Sequence, residues 1–296
     1  MRVAARIALA GAALTLVAVG CVVGTPPWVA PSLRGLYRAD GPGRAGLRFL
    51  VARKENEIAV TLQPADAEPA YERHSGWVYF SSLEGGSYDL ARVRLSGDER
   101  TPITSTGNVN ERWPALSPDG RVLFYTSDDG GTEQIWRSEP DGSNPAAVTR
   151  GPEPHSRAAV DSSGMTLVAL EGDTSAGRLV RIDVASGSVT PVEGVAEGMV
   201  PVGRPAVRAD GTIAYACRAP RGTDICELSP GKPARRLTEG EADERDPAWS
   251  PEGGAIVFSS NRADNNFELY LMRDDGSKVR RLTNQRGADI EPAFVP

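Results

Sequence analysis

The sequence predicts an all-β fold, a six-bladed β-propeller of four-stranded antiparallel blades. Three observations carry that prediction: one stretch that reads as a four-stranded meander, a short motif that returns at a nearly constant interval, and two chain ends that are each incomplete alone. The meander is residues 245–283, RDPAWSPEGGAIVFSSNRADNNFELYLMRDDGSKVRRLT. Residues 248–250 lead into a Pro-Glu-Gly-Gly turn, 255–259 and 268–273 alternate along the chain, and 278–283 close the unit after Asp-Asp-Gly-Ser. Period-two alternation broken by Pro, Gly and Asp turns is the pattern of antiparallel strands joined by hairpins. One such meander cannot bury both faces of its sheet, so it requires neighbours of the same kind.

The motif is a charged residue, then Pro-Ala, then a large or apolar residue. It occurs as Glu68-Pro69-Ala70-Tyr71, Arg204-Pro205-Ala206-Val207, Asp246-Pro247-Ala248-Trp249 and Glu291-Pro292-Ala293-Phe294. A fifth copy, Arg112-Trp113-Pro114-Ala115-Leu116, carries one inserted Trp, and a sixth, Arg157-Ala158-Ala159-Val160, lacks the proline. With residues 69, 114, 158, 205, 247 and 292 as anchors, the intervals are 45, 44, 47, 42 and 45. A period of about 40–45 residues with four strands per unit is the signature of a propeller.

The ends complete the count. Only Val295 and Pro296 follow the last anchor, while residues 36–39, 47–53 and 57–62 form three strand-like runs with no anchor before them. The prediction is that residues 36–62 supply three outer strands of a sixth blade and residues 291–295 its innermost strand. Pairing the two ends closes the ring and removes exposed edges. The alternative is five blades with the early strands as a cap, which would leave the backbone groups of the last strand unpaired.

The units Trp113-Pro114-Ala115-Leu116-Ser117-Pro118-Asp119-Gly120, Gln134-Ile135-Trp136, Pro140-Asp141-Gly142-Ser143 and Val148-Thr149 resemble the repeat of TolB-like propellers. So do Ser250-Pro251-Glu252-Gly253, Phe258-Ser259-Ser260-Asn261-Arg262 and the pairs Leu237-Thr238 and Leu282-Thr283. The resemblance covers residues 36–296, most fully in the second and fifth units and least in the third. It implies a six-bladed propeller acting in the bacterial periplasm as a non-enzymatic binding platform. TolB carries an α/β domain ahead of its propeller. Residues 1–35 leave no room for one, so the resemblance carries over no particular TolB partner.

Residues 1–20 place Arg2 and Arg6 ahead of an apolar run from Ile7 to Val19 and read as a secretory signal peptide. Ala18-Val19-Gly20-Cys21 resembles the bacterial lipobox, with Ala18 where that motif prefers Leu, and implies a lipid-bearing Cys21. An ordinary cleaved signal or an uncleaved anchor, with Cys21 incidental, are the alternatives. Residues 21–35, rich in Pro, Gly and small side chains, are expected to be an extended tether, and residues 36–296 the propeller. Lipid chains tether a protein without any spanning helix. The expected location is the periplasm or cell envelope, membrane-tethered through Cys21, with the protein a monomer.

Candidate sites follow from position in the repeat. Cys217 and Cys226 fall on facing strands of one hairpin, and an oxidising compartment lets a disulfide persist there. Closing so short a loop stabilises by about 2–3 kcal/mol in the chain-entropy view; two separate buried thiols are the alternative. The residues entering the innermost strands, Glu68, Arg112, Arg157, Arg204, Asp246 and Glu291, give three basic and three acidic positions in ring order. A channel rim split by charge would orient a partner peptide or a charged small ligand. The plainer reading is neighbour pairing, such as Arg204 with Asp246, worth little stability. His155 is expected beside that rim as a surface residue.

With His74 and His155 the only histidines and no Gly-x-Ser-x-Gly elbow, a Ser/His/Asp hydrolase is disfavoured. The point matters because similar propellers precede the catalytic domain of prolyl-oligopeptidase-like enzymes. No catalytic residue, cofactor or metal is expected; Asp-rich turns such as Asp274-Asp275-Gly276 can bind Ca²⁺ but read more simply as β-turns. A net charge of −6 without a basic patch argues against a nucleic-acid partner. The expected partner is an envelope protein or peptide. The alternative, a sensor or enzyme using the axial channel for a small ligand, needs convergent polar groups that Pro-Ala-apolar strands do not advertise.

Overall fold

The structure is a computed structural model that describes residues 33–51, 56–173 and 177–296. The signal peptide, Cys21 and most of the tether lie outside the described residues. Three strands come first: β1 (Arg34–Asp40), β2 (Gly46–Val51) and β3 (Asn56–Ala59). Blade one is β4 (Ala67–Tyr71), β5 (Trp77–Glu84), β6 (Ser87–Arg94) and β7 (Thr101–Pro102). Blade two is β8 (Glu111–Leu116), β9 (Leu123–Ser127), β10 (Gln134–Ser138) and β11 (Ala146–Ala147). Blade three is β12 (His155–Val160), β13 (Thr166–Glu171), β14 (Arg178–Asp183) and β15 (Val189–Pro191). Blade four is β16 (Val200–Val207), β17 (Ile213–Ala219), β18 (Gly222–Leu228) and β19 (Arg235–Arg236). Blade five is β20 (Glu244–Trp249), β21 (Ala255–Ser260), β22 (Glu268–Arg273) and β23 (Arg280–Arg281). The last strand, β24 (Ala288–Phe294), joins the first three in the order β24-β1-β2-β3.

The ring therefore closes as the incomplete ends predict. β24 pairs antiparallel with β1, from Gly35 opposite Phe294 to Asp40 opposite Ala288, and the Val295 N–H donates to the Arg34 carbonyl at 3.0 Å. Among the described residues no helix is long and apolar enough to cross a membrane.

Alternation along each strand explains how the blades hold together. In β21, Ala255 and Val257 face the closing blade, packing with Tyr37 and Leu50, while Ile256 and Phe258 face blade four, packing with Ala214 and Ile225. Both sets are apolar because a blade is flanked on both faces, which is why the whole of β21 is buried. The same arrangement gives six apolar clusters, one at each junction between neighbouring blades. Cys217 and Cys226 belong to the cluster between blades three and four. Their sulfurs are bonded, with the Cα atoms 5.9 Å apart on the facing strands β17 and β18.

The threonine that ends five of the six units has one structural job. Thr61, Thr104, Thr149, Thr238 and Thr283 each accept, through Oγ1, an N–H from the first half of the third strand of the blade, at 2.8–3.0 Å. The hydroxyl stands in for a ladder carbonyl where the short outer strand ends. In blade three, the unit whose sequence resembles the repeat least, Val192 matches the apolar residue before that threonine, its N–H donating to the Leu179 carbonyl at 3.0 Å, and Glu193 stands in the threonine's place.

Candidate functional site: the axial funnel and its floor

Each innermost strand is bulged at its motif. In blade one the register runs from Ala67 opposite Ser81 to Ala70 opposite Tyr79, so Glu68 and Pro69 face a single partner residue. Blades two, three and five and the closing blade do the same. The first residue of each bulge is left-handed: Glu68 at φ 59°, Trp113 at 59°, Arg157 at 57°, Asp246 at 52° and Glu291 at 56°. Such angles are uncommon away from glycine and strained at a bulky residue. A bulge re-aims the side chain next to it and bends the strand, here around the axis.

Blade four differs. Its register runs from Val202 opposite Ala216 to Ala206 opposite Ala214, so three residues face one, and the left-handed position is Gly203 at φ 67°. Arg204 is the extra residue, and it reaches the axis.

The acidic bulge residues serve their neighbours. The Glu68 N–H donates to Glu291 Oε2 at 2.7 Å, and the Trp113 N–H donates to Glu68 Oε2 at 2.8 Å. The Arg157 N–H donates to Thr126 Oγ1 of blade two at 3.1 Å. Three successive bulges thus have their freed N–H satisfied by a side chain of the preceding blade, which offsets part of the backbone strain. Glu68 also accepts from the Ser81 hydroxyl at 2.6 Å and pairs with Arg112, whose guanidinium lies 4.3 Å from the Tyr88 ring centroid. Arg38 stands 3.8 Å from Glu291.

This geometry revises the split rim. Glu68 is 1% exposed and lies inside the ring rather than at a mouth. Arg112 precedes its bulge, and Trp113 holds the position equivalent to Glu68. Arg157 lies over the Trp113 ring, its guanidinium 5.1 Å from the centroid. The pairs that form are Arg112 with Glu68 and Arg38 with Glu291; Arg204 makes its one hydrogen bond among the described residues to the Pro114 carbonyl, at 2.9 Å, and no ion pair with Asp246. His155 is not a surface residue. It is 4% exposed, with Nε2 3.2 Å from Glu171 and Nδ1 3.2 Å from Gln134, because it starts β12 against the junction with blade two.

On the carboxyl-terminal side of the bulges the axis opens into a funnel of about 440 Å³. Its wall is built from the motif itself: Ala70, Ala115, Ala159, Ala206, Ala248 and Ala293, and beyond them Tyr71, Leu116, Val160, Val207, Trp249 and Phe294. Alanine recurs because six strands converge there and a larger side chain would close the axis. The closing residue of each motif, treated from sequence as a fold residue, turns out to line the opening; its recurrent size and apolarity were the available signal.

Arg204 forms the floor. It also lines a void of about 30 Å³ on the other side, with Glu68, Trp113, Asp246 and Glu291. Enclosure by protein pushes the Arg204 guanidinium below its ordinary value, against the pull of Glu68, Asp246 and Glu291. Burial likewise raises Asp246. Glu291 is pushed up to about 8 by burial first, then by the charges of Glu68 and Asp246. Among the described residues, no group of three His, Cys, Asp or Glu side chains converges to hold a metal ion.

No family model matches the sequence. A stretch of 59 residues, 20% of this chain, is 36% identical to an uncharacterized peptidase, YuxL, of Bacillus subtilis, and covers 9% of that protein. Another of 51 residues, 17% of this chain, is 37% identical to a TolB homolog of Chlorobium luteolum and covers 11% of it. The chain thus matches only about a tenth of the length of these curated relatives. In three dimensions, 88% of this chain superposes on 66% of the crystal structure of TolB from Acinetobacter baumannii, with a TM-score of 0.76 and 22% identity. The fold is that of a TolB-like six-bladed propeller.

Proposed function

We propose that this TolB-like propeller is a non-enzymatic, exported and membrane-tethered platform that takes a polypeptide segment of a partner protein into its axial funnel. The observation that carries the reading is the funnel: a wall of motif alanines and apolar side chains edged by Glu72, Arg73 and Ser117, a width set by the alanines, and one guanidinium at the floor with donor capacity to spare. A concave apolar surface with a few fixed polar groups is the ordinary form of a binding site. Two of the polar side chains near the mouth, Glu72 and Ser117, are already engaged. Glu72, for example, accepts from the amide of His74 at 2.8 Å and from the amide of Ser75 at 2.6 Å. Burial pushes its carboxyl up, but those amides and the Ser75 hydroxyl outweigh that and hold it at about 2. Such a wall is suited to binding and orienting a ligand. The Cys217–Cys226 disulfide fits an oxidising compartment, and the lipobox-like Ala18-Val19-Gly20-Cys21 supports the tether.

The test is site-specific photo-crosslinking in cells of the native envelope, with the crosslinker at Val160 on the funnel wall or at Asp129 on the opposite face. A defined protein adduct at 160, absent at 129 and lost in a Val207→Arg variant that fills the funnel, is the expected result. Adducts of equal yield at both positions overturn the reading.

A further inference from the structure

We infer that the funnel is turned towards the membrane that holds the chain, and that its ligand is a polypeptide segment presented at that membrane surface. The inference rests on the tethered reading above and adds to it an orientation. The carboxyl-terminal strand runs towards the funnel mouth, where Phe294 and Pro296 line the opening. β1 is antiparallel to it, so Arg34, whose carbonyl accepts from Val295, lies at that same mouth. Leu33 lies there too, lining a small apolar crevice with Phe294 and Leu282. Whatever precedes Leu33 is therefore joined to the propeller at its funnel face.

The length of the tether makes this decisive. Cys21 and Leu33 are twelve residues apart. At about 3.3–3.6 Å per residue, that segment spans at most roughly 40–43 Å fully extended. To turn the opposite face to the membrane, it would have to cross β2 and β3, about 10 Å at the usual strand spacing, then run back along the height of the sheet. That height is about 23 Å for the seven residues of β1, with hairpins added at both ends. Before the hairpins are added, the detour already takes about 33 Å, most of the reach of the segment, whereas a direct exit that keeps the funnel facing the bilayer takes none of it. An uncleaved anchor ending at Val19 adds two residues, about 7 Å of reach, and the direct exit remains the shorter path. A funnel held within that distance meets segments presented at the membrane at a high effective concentration, and meets freely diffusing proteins only through the intervening gap.

The experiment uses the full-length protein in vesicles that carry an acceptor dye on a lipid headgroup. A donor dye is placed at Glu252→Cys, on the exposed β20–β21 turn of the funnel face, or at Asp129→Cys, on the exposed β9–β10 loop of the opposite face. Cys217 and Cys226 are buried and bonded, and the unsubstituted protein taken through the same labelling measures any signal from Cys21. The expected result is a larger loss of donor emission at 252 than at 129. Equal loss, or a larger loss at 129, overturns the orientation. Flotation of the same samples separates the two readings: protein that does not float with the vesicles defeats the tether and the inference with it, whereas protein that floats with the reversed signal defeats only the orientation. The partner crosslinked at Val160 should remain with washed membranes; a partner recovered as a soluble protein overturns the second half of the inference.

Discussion

Glu291 is where burial and charge meet at a single side chain. Its Oε2 accepts the Glu68 N–H at the centre of the ring, where desolvation and two further carboxylates raise its pKa from 4.5 to about 8. The folded protein therefore holds a proton there that the unfolded chain gives up near pH 4.5. This contribution is fully present below pH 4.5 and is lost as pH rises through about 8. Glu291→Gln keeps an acceptor for the Glu68 amide but carries no charge. Thermal unfolding should show this variant gaining at least about 1 kcal/mol over the parent between pH 5 and pH 9; parallel pH curves would refute the assignment. Elsewhere the residue-scale energetics are those of packing. Phe258 is fully buried at the junction of blades four and five, and Phe258→Ala should cost about 3–5 kcal/mol in a denaturant titration.

At the scale of elements, the outer edges and the seam are held by specific backbone devices. Thr149 Oγ1 accepts the Ile135 N–H at 2.9 Å and donates to Gln134 at 2.6 Å, so it ends one strand and fixes the start of another. Thr149→Val leaves a buried amide unpaired and should cost about 1–3 kcal/mol. The seam has its own constraint at Gly287, where φ is +89° and an added Cβ would run into the Asp40 carbonyl oxygen and Gly41. Gly287→Ala forces either the loop or the start of β24 to move, at about 1–3 kcal/mol for the backbone strain alone. Hydrogen exchange should show that loss as faster exchange in β1 and β24 before any other strand pair.

At the scale of the molecule, six apolar junctions form a ring that exists only when the last strand docks on the first. Removing residues 288–296 takes the inner strand from the closing blade, exposes the edge of β1 and opens the junctions on either side of that blade. The truncated protein should lose its single cooperative unfolding transition in calorimetry, whereas a circular permutant that joins residue 296 to residue 34 and opens an outer loop should keep it. Closure also brings Leu33 and Pro296 to the same face of the ring, at the funnel mouth.

The number of blades, their strands and the closing of the ends were legible in the residues, because each depends on local rules. Alternation selects strand, Gly and Asp select turn, and an anchor repeated six times counts the units. The facing cysteines were legible for the same reason, since hairpin register follows from the turn. The axis was not. Whether Trp113 or Arg112 takes the left-handed position, and whether Arg204 is in line or an added residue, depends on backbone angles at a bulge that no pattern of polarity records. The carboxylates of Glu68 and Glu291 read as a rim in the sequence because their partners, the amides of Trp113 and Glu68, come from other blades. Side chains that converge from six distant segments acquire their roles only when the ring is shut; the repeat determined the wheel, and closure decided what stands at its hub.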